Sequence, residues 1–416
     1  MSRIAVAGTL AALFLGFAVA LVATVPWTVL PGAAPTVQVS RDFTPAEITR
    51  EQAYHREVRP PAYAALLLGL AVAGLLALTP VGARVVAAVA RPLGGGWGWQ
   101  VLLGTLALTL IGRVVTLPLD AWSERVLRRY GLSTQSWSSW FVDAAKSVAL
   151  TAGLSGIVLL AVLALVRLAP RTWWAWAALV TAGFVVAGSF VYPLVVEPVF
   201  NRFTPLAAGH LRTDLLALAA RDGVPVEDVL VADASRRTTA LNAYVSGFGS
   251  TRRIVLYDTL VQQASPEEVR LVVAHELGHA KRQDVLHGTL IGALGAAAGV
   301  CALALLLSWT PLLRRAGADS IGDPRVIPLL LFLVAAGTLV LAPLSTLVSR
   351  RIEARADVHS LDLTRDVPTF VASEQRLART NLADLEPNPV LYAFFATHPS
   401  TPQRIALARE WARLHP

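Results

Sequence analysis

Residues 272–284 read Val-Val-Ala-His-Glu-Leu-Gly-His-Ala-Lys-Arg-Gln-Asp, with two histidines four apart and a glutamate directly after the first. Residues spaced by four share one helix face, so His275 and His279 can grip one zinc ion through their imidazole nitrogens. Glu276 lies about 100° further round the helix, beside the metal and not on it. From there it can take a proton from a zinc-bound water whose pKa the metal lowers to roughly 7. The competing account is a structural helix in which two histidines fall four apart by chance.

A helix must exist for this spacing to matter, and the preceding residues supply its start. Ser265 is a suitable N-cap, Pro266 suits the first helical position, and Glu268 completes a capping box. A catalytic zinc also needs a third protein ligand and one open position. Ser349-Arg-Arg-Ile-Glu353-Ala-Arg-Ala-Asp357 offers two carboxylates on one helix face. Glu353 is the expected ligand, and Asp357 is expected to orient a ligand histidine from behind. Taken alone, Glu353 beside Arg350 and Arg351 reads as a solvated ion-pair face. Asp284, His287 and His359 compete as ligands. His287 is expected to pack between helices, and His359 has no partner at ligand spacing.

Two further stretches can serve such a centre. In Thr397-His398-Pro399-Ser400-Thr401-Pro402-Gln-Arg404, His398 either donates to the oxyanion of a tetrahedral intermediate or merely forms a turn and cap. Arg404 either braces the loops or pairs with a carboxylate such as Asp357. Upstream, Val229–Ala232 and Ile254–Tyr257 read as short strands flanking Asn242-Ala-Tyr244-Val-Ser-Gly-Phe248, with Gly249 and Ser250 as the turn. A strand there is either half of an ordinary hairpin or a sheet edge that receives an extended peptide.

The chain that carries these residues is built for lipid. Of its 416 residues 55% are hydrophobic and only 15% charged, and mean hydropathy is +0.56. The formal charge of +8 is nearly all arginine, Lys146 and Lys281 being the only lysines. That balance suits anionic headgroups, and no nucleic-acid-binding motif is present. Scarce lysine among abundant alanine and arginine points to a GC-rich, bacterial source. The single Cys301 excludes an intramolecular disulfide.

Seven apolar stretches, near 4–25, 62–80, 100–118, 147–167, 173–196, 286–309 and 326–348, can each span a bilayer. The first exceeds a typical signal-peptide core and reads as an anchor. Trp173, Trp174 and Trp176 look like an interfacial belt. Gly288, Gly292, Gly295 and Gly299 give the sixth span a small-residue stripe for close packing inside the bundle. Because two spans separate the polar segments, both emerge on one membrane side and can join. The expected organisation is five spans with loops over 1–198, a first half of a zinc protease domain over 199–285, two spans over 286–348, and a second half over 349–416. Loop arginines divide too evenly to orient the chain. Those flanking the site favour a cytoplasmic catalytic side with the N-terminus outside.

In this order the motifs resemble the type-1 CAAX prenyl endopeptidase family of integral-membrane gluzincins. His-Glu-x-x-His is shared by many zincins, whereas Ser349-Arg-x-x-Glu-x-x-Ala-Asp357 and Asn242-Ala-Tyr-x-x-Gly-Phe248 are far more specific. Tyr192-Pro193, Glu197 to Leu206, and Leu117-Pro118 through Gln135 and Asp143 to Lys146-Ser147 also match. Residues 1–60 match least.

The resemblance implies a mainly α polytopic protein, with seven helices enclosing a water-filled chamber capped by a split α+β zincin-like domain. It implies one zinc per chain on His275, His279 and Glu353, with Glu276 and His398 catalytic. Asp357 and Arg404 would support the ligands, and Asn242 and Tyr244 would bind substrate. The expected activity is hydrolysis of membrane-associated polypeptides at a bacterial cell membrane, with prenylated substrates improbable in that context. The partners are then a peptide substrate and the bilayer, without nucleic acid. Two other readings are a site-2-type intramembrane protease, whose zinc motif lies within a span, and an inactive multi-span scaffold.

Overall fold

The computed structural model describes residues 2–32, 35–247, 249 and 252–416. Phe248 and Ser250, named above in the edge strand and its turn, lie outside the described residues. Seven helices among them are long and apolar enough to cross a membrane: Arg3–Thr24, Pro45–Ala77, Trp97–Arg129, Trp137–Leu168, Trp173–Phe200, Asp284–Leu307 and Pro324–Thr364. The protein is thus a polytopic, mainly helical membrane protein with a small sheet.

Several spans outrun their apolar stretches, the second and third continuing as helix through Pro60–Pro61 and Pro118 into polar residues. The second starts at Pro45, where Thr44 and Glu47 form a capping box, so its first turns are polar and stand clear of hydrocarbon. The last helix runs unbroken over Ile327–Thr364 and carries the Ser349–Asp357 motif on the same rod as the seventh span. Half of the glycine stripe packs as expected: the sixth span lies between the first and fifth, with Gly295 against the Phe17 ring and Gly292 against Val185, whereas Gly288 and Gly299 meet no neighbour. The aromatic belt needs correction at one position. Trp173 is only 4% exposed, packed with Val6, Ala297 and Cys301, whereas Trp176 is exposed. The first helix claims the Trp173 ring before lipid can.

The polar part begins with a four-stranded sheet, β1 (Phe203–Pro205), β2 (Asp228–Ala232), β3 (Ala243–Ser246) and β4 (Arg253–Tyr257), in the order β1-β2-β4-β3. β2 and β4 are parallel, while β1 and β3 pair antiparallel on the outside. β3 is therefore both half of a hairpin and a sheet edge. Ala243 and Val245 turn into the core with Ile254, Leu256, Val269 and Val273, so Tyr244 faces the other way.

The Pro266–Arg282 helix packs its apolar face on this sheet and on the Ile327–Thr364 helix. Its N-terminus has the capping box anticipated above: Ser265 Oγ accepts from Glu268 N, and Glu268 Oε2 accepts from Ser265 N at 2.8 Å. Gln283 takes a left-handed conformation (φ 55°) and the sixth span begins immediately after it. Gly278 is required by close approach. A Cβ there would sit 3.0 Å from the His359 ring, which Asp222 holds by a 2.9 Å hydrogen bond.

Residues before the second span and in its polar first turns clasp the C-terminal segment. Asp42 pairs with Arg409, Glu47 with Arg379 and Arg59 with Asp384, and Leu30 packs against the cluster of Phe370 and Trp411. On the other flank Asp143 accepts from Gln135 (2.7 Å) and Arg237 (2.8 Å), tying the fourth span to the β2–β3 connection.

Candidate active site

Three side chains from two helices converge. His275 Nε2 and His279 Nε2 are 3.2 Å apart, and Glu353 places one oxygen 3.2 Å from His275 and the other 3.7 Å from His279. Tetrahedral ligands at 2.0–2.1 Å from zinc would be separated by roughly 3.3 Å, so this spacing fits a small divalent cation. The charges fit as well. Burial opposes protonation of His275, yet Asp357 and Glu353 beside it raise its pKa to about 10. Burial is likewise outweighed at His279 by Asp284 and Glu353, which raise it to about 9. The pocket therefore demands positive charge at the point where three lone pairs meet.

The remaining ring nitrogens are fixed from behind. His275 Nδ1 donates to Asp357 at 2.9 Å, and His279 Nδ1 donates to Asp284 at 2.9 Å. Each carboxylate is held by an arginine: Asp357 by Arg404, whose Nε donates at 2.9 Å, and Asp284 by Arg355. Arg404 also reaches Glu374 (Nη1 to Oε1, 2.8 Å), so one guanidinium serves two carboxylates that are less than 5% exposed. Burial pushes Glu374 up to about 7, eased by Arg404.

Asp284 and Glu374 were not foreseen in these roles. Asp284 stood only as a rival ligand. An acid opening an apolar span is costly unless partnered, which is the signal that marks it. Glu374 falls on the buried stripe of Phe370, Ser373 and Ala378, and an acid on such a stripe needs a cation. The other rivals fall away. His287 is exposed, contrary to the expected interhelical packing, with Nδ1 on the Arg282 carbonyl at 3.1 Å. His359 is taken up by Asp222.

A cavity of about 590 Å³ opens beside the cluster, lined among others by Asn242, His275, Glu276, His398 and Arg404. Glu276 has no hydrogen-bond or ion-pair partner among the described residues, and burial raises its pKa. His398 also lines the cavity, Nε2 3.2 Å from Glu353, with Thr397 Oγ1 3.0 Å from its Nδ1. Burial lowers its pKa, opposed by the Glu353 carboxylate and reinforced by the Arg404 and His275 charges. Asn242 sits at the start of the edge strand and faces the cavity, its Oδ1 accepting from Ala243 N at 2.9 Å. Tyr244 is not brought there. Its hydroxyl donates to Glu197 at 3.2 Å, at the end of the fifth span.

Fold and site together define an integral-membrane metallopeptidase with its metal-site helix outside the apolar spans, an arrangement that does not favour the site-2-type reading. The descriptions of known families agree. "Peptidase family M48" matches residues 205–412, and "CAAX prenyl protease N-terminal, five membrane helices" matches residues 11–202. The chain is 33% identical over 305 residues to the "Uncharacterized metalloprotease YhfN" of Bacillus subtilis, covering 73% of this chain and 72% of that one. It is 30% identical to the "CAAX prenyl protease 1 homolog" of Oryza sativa, covering 73% of each. The crystal structure of S. mikatae Ste24p superposes with a TM-score of 0.80 at 20% identity, over 98% of this chain and 99% of that one. The chain belongs to peptidase family M48 and is a membrane metalloendopeptidase.

Proposed function

We propose that the chain is a zinc endopeptidase that cuts membrane-associated polypeptides, with residues 199–285 and 349–416 acting as two halves of one catalytic domain on the cytoplasmic face of a bacterial membrane. The observation that carries this reading is the convergence of His275, His279 and Glu353 beside Glu276, which lines the cavity and has no hydrogen-bond or ion-pair partner among the described residues. His275, His279 and Glu353 would hold the ion, with Asp357 and Asp284 keeping both imidazoles protonated on Nδ1 and so leaving Nε2 free to bind. Bound zinc supplies Lewis-acid polarisation and lowers the pKa of water.

The rest is the work of side chains. Glu276 takes the proton from the attacking water and passes it to the leaving nitrogen. The Thr397 hydroxyl donates to His398 Nδ1, leaving Nε2–H to donate to the developing oxyanion. A peptide laid in extended form against the free edge of β3 would be aligned by backbone pairing, with Asn242 fixing its register at the cavity mouth. The relatives named CAAX prenyl proteases suggest cleavage near a lipid anchor. The membrane seat of the domain supports anchored substrates in general, and a prenyl group need not be the anchor.

A fluorogenic peptide with and without an N-terminal palmitoyl chain, offered to the protein in nanodiscs, tests this. The expected result is chelator-sensitive internal cleavage that favours the anchored peptide by tenfold or more in kcat/KM, on the order of 1.4 kcal/mol. Equal cleavage of both would overturn the substrate class, and cleavage unaffected by zinc removal would overturn the chemistry.

A further inference from the structure

The bundle has a second cavity, of about 710 Å³, at the end away from the active site. It is framed by the start of the first span at Arg3, the end of the fourth at Arg167, the start of the fifth at Trp173, the end of the sixth at Ser308, and the Ser320–Gly322 loop before the seventh. Alternation of the spans places all of these at one membrane face, and both polar segments at the other. The cavity therefore lies at headgroup depth with an apolar wall running inward from Ile321.

Its charge is uncompensated. Arg3 Nη2 donates to the Ser308 carbonyl at 2.9 Å, and Arg167 Nε donates to the Gly322 carbonyl at 3.2 Å while its guanidinium lies over the Trp97 ring. Neither arginine has an ion pair among the described residues. The acids nearest in sequence, Asp319 and Asp323, are both held by Arg325 at 2.5 Å. Trp173, which is only 4% exposed, lines the cavity from the start of the fifth span. Two guanidinium groups held by carbonyls, with donors to spare and no carboxylate, form a seat for a tetrahedral oxyanion.

We propose that this cavity binds a phosphate oxyanion between Arg3 and Arg167, supplied by an anionic phospholipid whose acyl chain lies along the apolar wall. A free phosphate would satisfy the arginines but leave that wall bare. A choline headgroup would bring a cation toward two arginines, so phosphatidylglycerol should be favoured over phosphatidylcholine. Bound there, one lipid would staple the first, fourth and fifth spans at the face opposite the catalytic domain.

The full chain, delipidated in detergent, would be titrated separately with phosphatidylglycerol, phosphatidylcholine and glycerol phosphate and read by native mass spectrometry. The wild type should retain one phosphatidylglycerol with roughly tenfold or greater preference over phosphatidylcholine. Arg3→Gln and Arg167→Gln should each weaken retention, and the double variant should lose the preference, with metal content unchanged as a check on folding. Retention of phosphatidylglycerol by both single variants at the wild-type level, or equal retention of the two lipids by the wild type, would overturn the site. Glycerol phosphate binding as tightly as phosphatidylglycerol would keep the oxyanion seat and overturn the lipid assignment.

Discussion

Glu276→Gln is expected to lower kcat by a factor of roughly 10²–10⁴, the usual contribution of a positioned general base, while metal content and Tm stay at wild-type values. The separation is possible because Glu276 touches neither the ligand atoms nor a structural partner. It lines the cavity with no hydrogen bond or ion pair among the described residues, so an amide of the same shape breaks nothing. A purely structural role would instead show as a lower Tm with activity following it down. Inductively coupled plasma analysis beside a peptide assay distinguishes the two, and activity within threefold of wild type would remove Glu276 from the reaction.

Arg404→Met should produce the largest loss of stability of any single change near the site. Its guanidinium is the cation shared by Asp357 and Glu374, both nearly inaccessible to solvent. Removing one partner of a buried ionic cluster typically costs about 3–5 kcal/mol, because the stranded charge is worse than the lost attraction. Glu374→Gln in the same background should recover part of the loss by removing one of the two stranded acids. Asp357 then still orients His275. Thermal unfolding of the two single variants and the double variant gives the coupling. Strict additivity of Arg404→Met and Glu374→Gln would show that the two do not act as a unit.

What was legible in the sequence was local. The capping box at Ser265, the four-residue spacing of the histidines and that of Glu353 and Asp357 each lie within two helical turns, where periodicity and side-chain chemistry are enough. The seven spans were legible for the same reason, but not their polar extensions, because the second and third helices run on through Pro60–Pro61 and Pro118, where the sequence signals a break. Partnerships across long separations were not legible. Arg404 with Asp357 was one of two readings the sequence offered, but Arg404 with Glu374 and Asp42 with Arg409 meet only once the helices have packed. Asp284 was hidden differently. One left-handed residue, Gln283, turns the chain so that a side chain five positions on returns to His279. Tyr244 shows the limit of motif reading, since alternation along β3 points it away from the cavity that Asn242 enters.

His275, His279 and Glu353 are expected to form one zinc site. Metal analysis of the purified full chain and of Glu353→Ala, each stripped and then reloaded with a small excess of zinc, tests it most directly. One zinc ion per wild-type chain is expected, with most of it lost in Glu353→Ala while the variant still elutes as a folded protein. Full zinc retention by Glu353→Ala, or no zinc on the wild type, would contradict it.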